Sequence, residues 1–248
     1  MAEIEPVSEL EILYRDEYLV AVNKPSGLLV HRSMIDRHET RFAMQMVRNQ
    51  IGQHVYPVHR LDKPTSGVLV FALSSDMARR MMELFSSAAV NKNYLAVVRG
   101  YSAEADVIDY PLKEELDKIA DAEAQQDKAA QEAVTHFQRL ATVELSYPVG
   151  RYETARYSLL KLQPQTGRKH QLRRHMKHIF HPIVGDTTHG DSSHNRFFRQ
   201  QFNCHRLLLS ATQMSFQHPI SGESLDLCAS LDDGFQRIMN SLGWQGIS

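Results

Sequence analysis

The sequence predicts a single α+β domain that spans residues 1–248. Strand-like runs alternate irregularly with segments whose apolar residues recur at helical spacing, a pattern typical of mixed folds. Apolar residues make up 42% of the chain, enough to fill a core of this size. No internal repeat, low-complexity linker or Pro/Gly-rich boundary divides the chain. One continuous domain is therefore expected.

The first half of the chain is punctuated by turn-forming residues. Two strands, EILY and YLVAV, are followed by the turn NKPSG, and residues 40–50 favour a short helix. Two further apolar runs, VYPVHRL and VLVFALS, flank the sequence DKPTSG, so this loop should be held between two buried strands. From Ser75, a predicted N-cap, apolar residues recur at the spacing of an amphipathic helix.

The second half combines further strands with an acidic segment. NYLAVVRG and RYSLLKLQ are strand-like, whereas the acidic tract 113–133 favours an exposed helix or a mobile excursion. Thr166 is a predicted N-cap for a helix through KHQLRRHMKHIF. Period-two spacing places four apolar residues on one side of another strand: Phe137, Ala141, Val143 and Leu145.

Composition excludes several classes of protein. The chain has no apolar run of about 18 residues and no cationic leader, so a cytoplasmic protein that neither enters a membrane nor is exported is expected. Cys204 and Cys228 are its two cysteines, and they suggest neither a disulfide framework nor a thiolate zinc site. Motifs for nucleotide hydrolysis, dinucleotide binding and the serine-hydrolase elbow are absent as well.

Charge is segregated along the chain, although the net charge is −1. Residues 154–185 contain no carboxylate, while the balancing acidic residues concentrate in the tract 113–133. A local basic tract of this kind is typical of a surface that contacts nucleic acid. Its cations are Arg156, Lys161, Arg168, Lys169, Arg173, Arg174 and Lys177.

The motif HRLDKPTSG, residues 59–67, places one carboxylate among cations at a tight turn. Asp62 lies close to His59, Arg60 and Lys63 along the chain. One interpretation is structural: the aspartate caps the amides of its own loop. The other is a nucleophile kept ionised by neighbouring positive charge. The residue pattern alone leaves both open and favours the first.

In TGRKHQLRRH, residues 166–175, cations occupy the predicted first turn of a helix. Arg168, Lys169 and His170 would there oppose the helix dipole unless something negative offsets them. A solvated cationic face is one interpretation, and contact with RNA phosphate or with a partner carboxylate is the other.

The histidines between residues 170 and 205 and the phenol of Tyr94 are also ambiguous. A metal site must be weighed for the histidines, but no HExxH motif is present and the interleaved cations would repel a divalent ion. RNA contacts or ordinary polar positions are favoured over a metal. Tyr94, at the start of NYLAVVRG, is either a core aromatic or a phenol that faces a pocket.

Together these segments resemble the RluA-type family of pseudouridine synthases. The similarity extends from about Leu10 to Leu231, and its motifs occur in the family's order: NKPSG with His31, HRLDKPTSGVLVFA, KNYLAVVRG, TGRKHQLRRH, HPIVGD and RLLLSATQMSFQHPISGE. The resemblance implies a mixed, largely antiparallel sheet with flanking helices and a central cleft. It also implies that no metal and no organic cofactor are needed.

The resemblance implies catalytic roles for Asp62 as the nucleophile, Tyr94 as the aromatic near the flipped uracil, and Arg168 as the partner of the aspartate. Substrate contacts are expected from Arg60, which would enter the RNA helix where the base leaves, and from His59, Thr65, Gly67, Lys169, His170, Arg173, Arg174 and Lys177. Gly27, Thr65, Ser66 and Gly67 would shape the site. Ser210 and His189 depart from the histidine and tyrosine that many members have, which leaves fine substrate contacts at these positions open.

The implied reaction is the isomerisation of uridine to pseudouridine. The segments LLVHRS, RFAMQMVRNQIGQHV and EELDKIAD resemble members that act on transfer RNA, with uridine 65 in the T-arm stem as the expected target. The alternatives are a relative that acts on ribosomal RNA or another tRNA site, a non-catalytic RNA-binding protein, and a histidine-metal hydrolase. A monomer without an obligate protein partner or a membrane is expected.

Overall fold

The computed structural model describes residues 9–32, 39–87, 89–114 and 129–247. Within these residues the strands are β1 (Glu11–Arg15), β2 (Leu19–Lys24), β3 (Tyr56–Pro57), β4 (Ser66–Ala72), β5 (Asn91–Arg99), β6 (Ala105–Asp109), β7 (Val134–Leu145), β8 (Ala155–Pro164), β9 (Leu209–Gln217) and β10 (Ser224–Cys228). The helices are α1 (Ala43–Ile51), α2 (Ser75–Ser86), α3 (Gln171–His178), α4 (Ser192–Phe202) and α5 (Asp233–Ser241). Most of the predicted acidic excursion, residues 115–128, lies outside the described residues.

The strands form one sheet in the order β1-β2-β4-β9-β5-β8-β7-β6, with β3 paired to β4 and β10 paired to β9. Every strand pair is antiparallel except β4 with β9. This confirms the predicted mixed, largely antiparallel sheet with flanking helices. None of the described helices is long and apolar enough to cross a membrane.

Alternation of side chains along the central strands gives the sheet two covered faces. On one face, α1 packs against Val20 and Val22 of β2, and α3 packs against Ala96 and Val98 of β5. On the other face, α2 covers the β2–β4 side and α4 and α5 cover the β5–β8 side. Tyr94 contacts both clusters of the first face, so it marks the boundary between α1 and α3.

A β-bulge in β7 overturns one expectation about the sheet. The register shifts between Arg139 and Ala141, so Arg139 pairs with Leu160 and Ala141 pairs with its neighbour Leu159. An extra residue in one strand reverses the direction of every side chain after it. Phe137 therefore packs on the α3 face, whereas the other three apolar residues pack on the α4 and α5 face: Ala141, Val143 and Leu145. The prediction that all four share one side is wrong.

Two helix starts also differ from prediction. The side chain of Ser74, not Ser75, accepts a hydrogen bond from the Met77 amide and caps α2. α3 begins at Gln171, after His170 with a left-handed φ of 54°. Arg168 and its two successors consequently form a turn before the helix.

The pairing of β4 with β9 depends on a glycine. It consists of Ser66 with Ser210 and Gly67 with Ala211, and a Cβ on Gly67 would lie 2.0 Å from the Ala211 carbonyl oxygen. Gly67 also has a φ of +111°. Because β4 and β9 are central strands, the clash cannot be relieved at an edge. This close approach explains why a glycine ends the motif.

Gly67→Ala is expected to lower the free energy of unfolding by roughly 3 kcal/mol or more, since backbone strain adds to overpacking. Gly222→Ala is the matched control: Gly222 has a φ of +74°, but a Cβ added there would have no atom within 4 Å. The Gly222→Ala variant should lose about 1–2 kcal/mol of the free energy of unfolding, from backbone strain alone. Denaturant unfolding of both variants measures the difference, and equal losses would contradict the packing argument.

Candidate active site

The loop that carries Asp62 is tied to the turn NKPSG. The Thr65 amide donates to the Asp62 carbonyl at 3.0 Å, which closes a turn immediately before β4. The Gly27 amide donates to the Lys63 carbonyl at 2.8 Å, and the Ser26 hydroxyl donates to the Pro64 carbonyl at 2.8 Å. Two loops that are distant in sequence therefore form one rigid support beneath the carboxylate.

The side chain of Lys24 connects these two loops. Its side chain is fully buried, and its Nζ donates to the carbonyls of Pro25, Leu28 and Lys63 at 3.0, 2.7 and 3.2 Å. Burial, and then the charge of Arg206, lowers the pKa of Lys24 to about 7, although the negative charge of Asp62 opposes this shift. Lys24 therefore links the two loops, and its protonated form places positive charge near Asp62.

Lys24 should make stability depend on pH above neutrality. The folded pKa of about 7 lies below the ordinary 10.5, so between these values the unfolded chain binds more protons than the folded one. The Lys24 contribution to the free energy of unfolding then rises with pH over this range. We expect the value for wild type minus that for Lys24→Met to increase from pH 7 towards pH 10. Chemical denaturation at several pH values tests this, and a flat difference would contradict the lowered pKa.

Arg173, not Arg168, is the arginine that pairs with Asp62. Its Nη1 donates to Asp62 Oδ2 at 3.0 Å, while its Nε and Nη2 donate to both oxygens of Asp186 at 2.7 and 2.9 Å. The side chain of Arg173 is 5% exposed and that of Asp186 is 1% exposed, whereas that of Asp62 is 21% exposed. Two hydrogen bonds to the buried carboxylate of Asp186 thus fix the guanidinium, which donates a third hydrogen bond to the more accessible carboxylate of Asp62.

Asp186 is itself held in place by the loop that follows it. Its Oδ1 accepts from the amides of Thr188 and His189, each at 2.9 Å. Burial acts to raise the pKa of Asp186, but the hydrogen bonds from Arg173 and from the His189 amide outweigh it and lower the pKa. Asp186 and Asp62 together supply the negative charge that offsets the cations near the start of α3. This agrees with the partner-carboxylate interpretation of the sequence.

Arg168 lies in the turn that precedes α3 and is exposed. Its Nε donates to the Glu132 carbonyl at 3.0 Å, and its amide donates to the side chain of Gln171. The expectation that Arg168 pairs with Asp62 is therefore wrong. The helix starts three residues later than this arginine, so Arg173 lies in its first turn and points inward instead.

Two groups flank Asp62 on the α3 side. Tyr94 is packed at the boundary between the α1 and α3 clusters, and burial and then the charge of Asp62 raise its pKa well above the ordinary value. His170 places Nε2 at 3.9 Å from Asp62 Oδ2, and its Nδ1 lies 3.0 Å from His189 Nε2. Tyr94 and His170 thus lie near Asp62, and His189 contacts His170.

Three predicted substrate contacts have structural roles. The Nε2 of His59 accepts from the Val70 amide at 3.0 Å, and its ring stacks on Phe85 with centroids 4.9 Å apart. Burial, and then Lys92, lowers the pKa of His59 to about 3, so this ring is neutral. Thr65 is 2% exposed and Gly67 is buried at the β4–β9 pairing. These residues shape the loop, and Arg173 is likewise too buried to reach a phosphate.

The remaining predicted contacts are accessible. Arg60 and Lys169 are exposed, as is Lys177 near the end of α3, while Arg174 is half-buried and donates to the Lys113 carbonyl at 2.8 Å. Burial, and then the charge of Arg60, lowers the pKa of His31, which places His31 close to Arg60. Exposed cations therefore occur both in the loop that carries Asp62 and near the start and end of α3.

Apart from the contact between His170 and His189, the histidines between residues 170 and 205 have separate surroundings, as three of them show. His175 is buried between the Thr135 hydroxyl and the Tyr110 carbonyl, His178 stacks on Tyr110, and His181 contacts the Arg99 carbonyl. Among the described residues, no group of three or more His, Cys, Asp or Glu side chains is arranged to hold a metal ion.

Lys24 and Asp186 are the site residues that sequence reasoning missed. A signal existed for each. Lys24 follows the apolar run YLVAV after one intervening residue, and a lysine buried there needs an anionic or carbonyl partner. Asp186 is the first carboxylate after the acid-free stretch 154–185, so it was the nearest candidate partner for the cations there.

Comparison with known proteins decides the family. The model of the RNA pseudouridylate synthase family matches residues 18–178, which include Asp62, Tyr94 and Arg173. The chain belongs to this family. It is an isomerase of the pseudouridine synthase type, as the resemblance implied.

The family's curated and solved members include close relatives of this chain. It is 60% identical over 236 residues to tRNA pseudouridine synthase C of Vibrio cholerae, covering 95% of this chain and 97% of the relative. It is 58% identical to tRNA pseudouridine synthase C of Haemophilus influenzae, covering 96% of this chain and 100% of the relative. Human RNA Pseudouridylate Synthase Domain Containing 4 superposes with a TM-score of 0.70 at 28% identity, over 94% of this chain and 93% of the human one.

Proposed function

We propose that this pseudouridine synthase acts on transfer RNA, at the uridine of position 65, with Asp62 as the attacking carboxylate. One observation carries the assignment of Asp62. Among the residues that the structure describes, Oδ2 of Asp62 makes the contacts with Arg173 and His170, whereas Oδ1 makes no hydrogen bond or ion pair. The arginine thus fixes the carboxylate and leaves one oxygen for the substrate.

The reaction rearranges one nucleotide without net gain or loss of atoms. The bond from N1 to the ribose C1′ breaks, the uracil turns, and C5 bonds to C1′ while a proton leaves C5 and N1 regains one. Asp62 Oδ1 can attack the base, attack the sugar or remove a sugar proton, and all three routes use an ionised carboxylate. The charge of Arg173, and that of Lys24 in its protonated form, stabilises the ionised carboxylate.

The target uridine must leave its helix to reach Asp62, at a cost of a few kcal/mol. Arg60 is exposed two residues before Asp62, and we expect its side chain to fill the gap left by the base. Tyr94 offers an aromatic face next to the carboxylate. Because its pKa is raised, Tyr94 remains a protonated phenol near neutral pH, which supports stacking on uracil over removal of the C5 proton.

Transfer RNA as the substrate is supported by the relatives at 58–60% identity, which are named tRNA pseudouridine synthase C. The exposed cations near the site, among them Lys169 and Lys177, suit a compact RNA that is contacted mainly through phosphates and shape. Affinity should then fall steeply with salt. Neutralising Lys177 should weaken binding without changing which uridine is modified.

Purified protein incubated with unmodified tRNA and with transcripts of 23S-type ribosomal RNA tests the substrate. Pseudouridine is expected in the tRNA at position 65, and a tRNA transcript with cytidine at that position is the matched control that should stay unmodified. Pseudouridine in the rRNA alone would refute the tRNA assignment and leave the chemistry at Asp62 intact. Modification of another tRNA uridine in both tRNA transcripts would refute position 65.

A further inference from the structure

The catalytic residues come from two halves of the sheet that meet at a short pairing. Asp62 precedes β4, which belongs with β1 and β2, whereas Tyr94 lies on β5 and Arg173 on the α3 that packs against β8 and β5. In the described sheet, the strand pairing that joins these halves is Ser66 with Ser210 and Gly67 with Ala211. Asp62 and Arg173 therefore lie on opposite sides of this junction, so the distance between them depends on how the two halves are joined.

A buried polar network crosses the junction on the face opposite the site. The Oγ atoms of Ser66 and Ser210 lie 3.0 Å apart, and the two residues are 3% and 0% exposed. Arg206 Nη2 donates to Ser66 Oγ at 2.8 Å. Since a guanidinium can only donate, the Ser66 hydroxyl accepts from Arg206 and directs its own proton to Ser210. The hydrogen bond across the junction then runs from Ser66 to Ser210.

Arg206 is anchored on the same half of the sheet as Ser210. Its Nε donates to the Leu207 carbonyl at 2.9 Å, its guanidinium lies 5.3 Å from the centroid of the Phe235 ring, and it forms an ion pair with Asp232. Asp232 in turn caps α5 by accepting from the Phe235 amide. Burial lowers the pKa of Arg206 to about 10, which still leaves it protonated at neutral pH. Arg206, held beside the N-terminal end of α5, therefore donates a hydrogen bond across the junction to β4.

We propose that Arg206 and Ser210 are positioning residues that set the separation of Asp62 and Arg173 through Ser66. The Ser66 backbone follows directly from the turn closed between Asp62 and Thr65, so a displacement at Ser66 moves the carboxylate. Ser210 has no exposed surface and lies behind the site, so it acts on the reaction without touching RNA. The proposal rests on Asp62 being the nucleophile.

Ser210→Ala tests the proposal against Ser158→Ala as a matched control. Ser158 is also 0% exposed and hydrogen-bonded, to the Gly100 carbonyl and the Ser102 amide, but these contacts lie within the β5–β8 half. We expect Ser210→Ala to lower kcat about tenfold with little change in KM, because a sub-ångström displacement of a catalytic group already slows chemistry. Ser158→Ala should keep the wild-type kcat even where its thermal stability falls as much.

A double variant and a pair of Arg206 variants test the same hydrogen bonds further. Ser66→Ala combined with Ser210→Ala should be no slower than the slower single variant, since both remove the same bond. Arg206→Lys, which keeps the charge and a donor, should retain more kcat than Arg206→Met at equal folded fraction. If Asp62→Asn is inactive, Asp62 remains the nucleophile. A kcat for Ser210→Ala equal to that of Ser158→Ala would then overturn the positioning role of Arg206 and Ser210. An active Asp62→Asn would instead overturn the proposed function.

Discussion

Asp62→Asn is expected to abolish pseudouridine formation while the affinity for tRNA stays within a few-fold of wild type. The amide keeps the shape of the side chain and can still accept from Arg173, but it removes the charge and the nucleophilic oxygen. The loss should therefore appear in kcat and not in binding. Single-turnover assays at saturating enzyme, together with filter binding of the same tRNA, separate the two quantities.

Asp76→Asn is a suitable control for this experiment. Asp76 is an exposed carboxylate in the first turn of α2, on the far face of the sheet, where its contacts are with Arg79 and Arg80. It should turn over tRNA at the wild-type rate. Residual activity of Asp62→Asn within about tenfold of this control would remove Asp62 from the chemistry.

Arg173→Met is expected to lower kcat by at least about 100-fold and the free energy of unfolding by about 3–5 kcal/mol. The change deprives two carboxylates of their partner at once, and Asp186 is only 1% exposed, so its charge would remain buried without compensation. Single-turnover kinetics on the folded fraction measures the loss of rate, and denaturant unfolding measures the loss of stability.

Arg168→Met provides the comparison for Arg173→Met. Arg168 is exposed and its side chain is bonded to a backbone carbonyl, so its removal should leave stability close to wild type and slow the reaction far less. If Arg168→Met were the more damaging of the two variants, the partner of Asp62 during catalysis would have to be Arg168. The arrangement of the free protein would then differ from that of the complex with RNA.

The fold was predictable where local periodicity decides it. Apolar runs located β2, β4, β5 and β8, and the spacing from Ser75 located α2 within one residue. The failure in β7 has a local cause, because a bulge at Leu140 changes the face of every later residue. The sequence shows only an inexact alternation at Arg139 and Leu140. Elements after α3 were not assigned, although Asp191 and Asp232 are both N-caps of the expected type.

The site was predictable as a set of motifs but not as a set of contacts. Arg168 and Arg173 are both cations of one motif, and which of them meets Asp62 depends on where α3 begins, a boundary set by the left-handed His170 and the inward bonds of Gln171. Ser66 and Arg206 are 140 residues apart in sequence. No local pattern indicates a bond at that separation, since the chain topology alone brings the two together.

The most direct test of Asp62 as the nucleophile and of tRNA as the substrate is a map of pseudouridine in total RNA. The map would compare cells that lack the gene with the same cells complemented by wild type or by Asp62→Asn. We expect pseudouridine at position 65 of tRNA to disappear on deletion, return with wild type, and stay absent with Asp62→Asn although that variant is expressed and folded. Restoration of the modification by Asp62→Asn, or a loss confined to ribosomal RNA on deletion, would contradict these assignments.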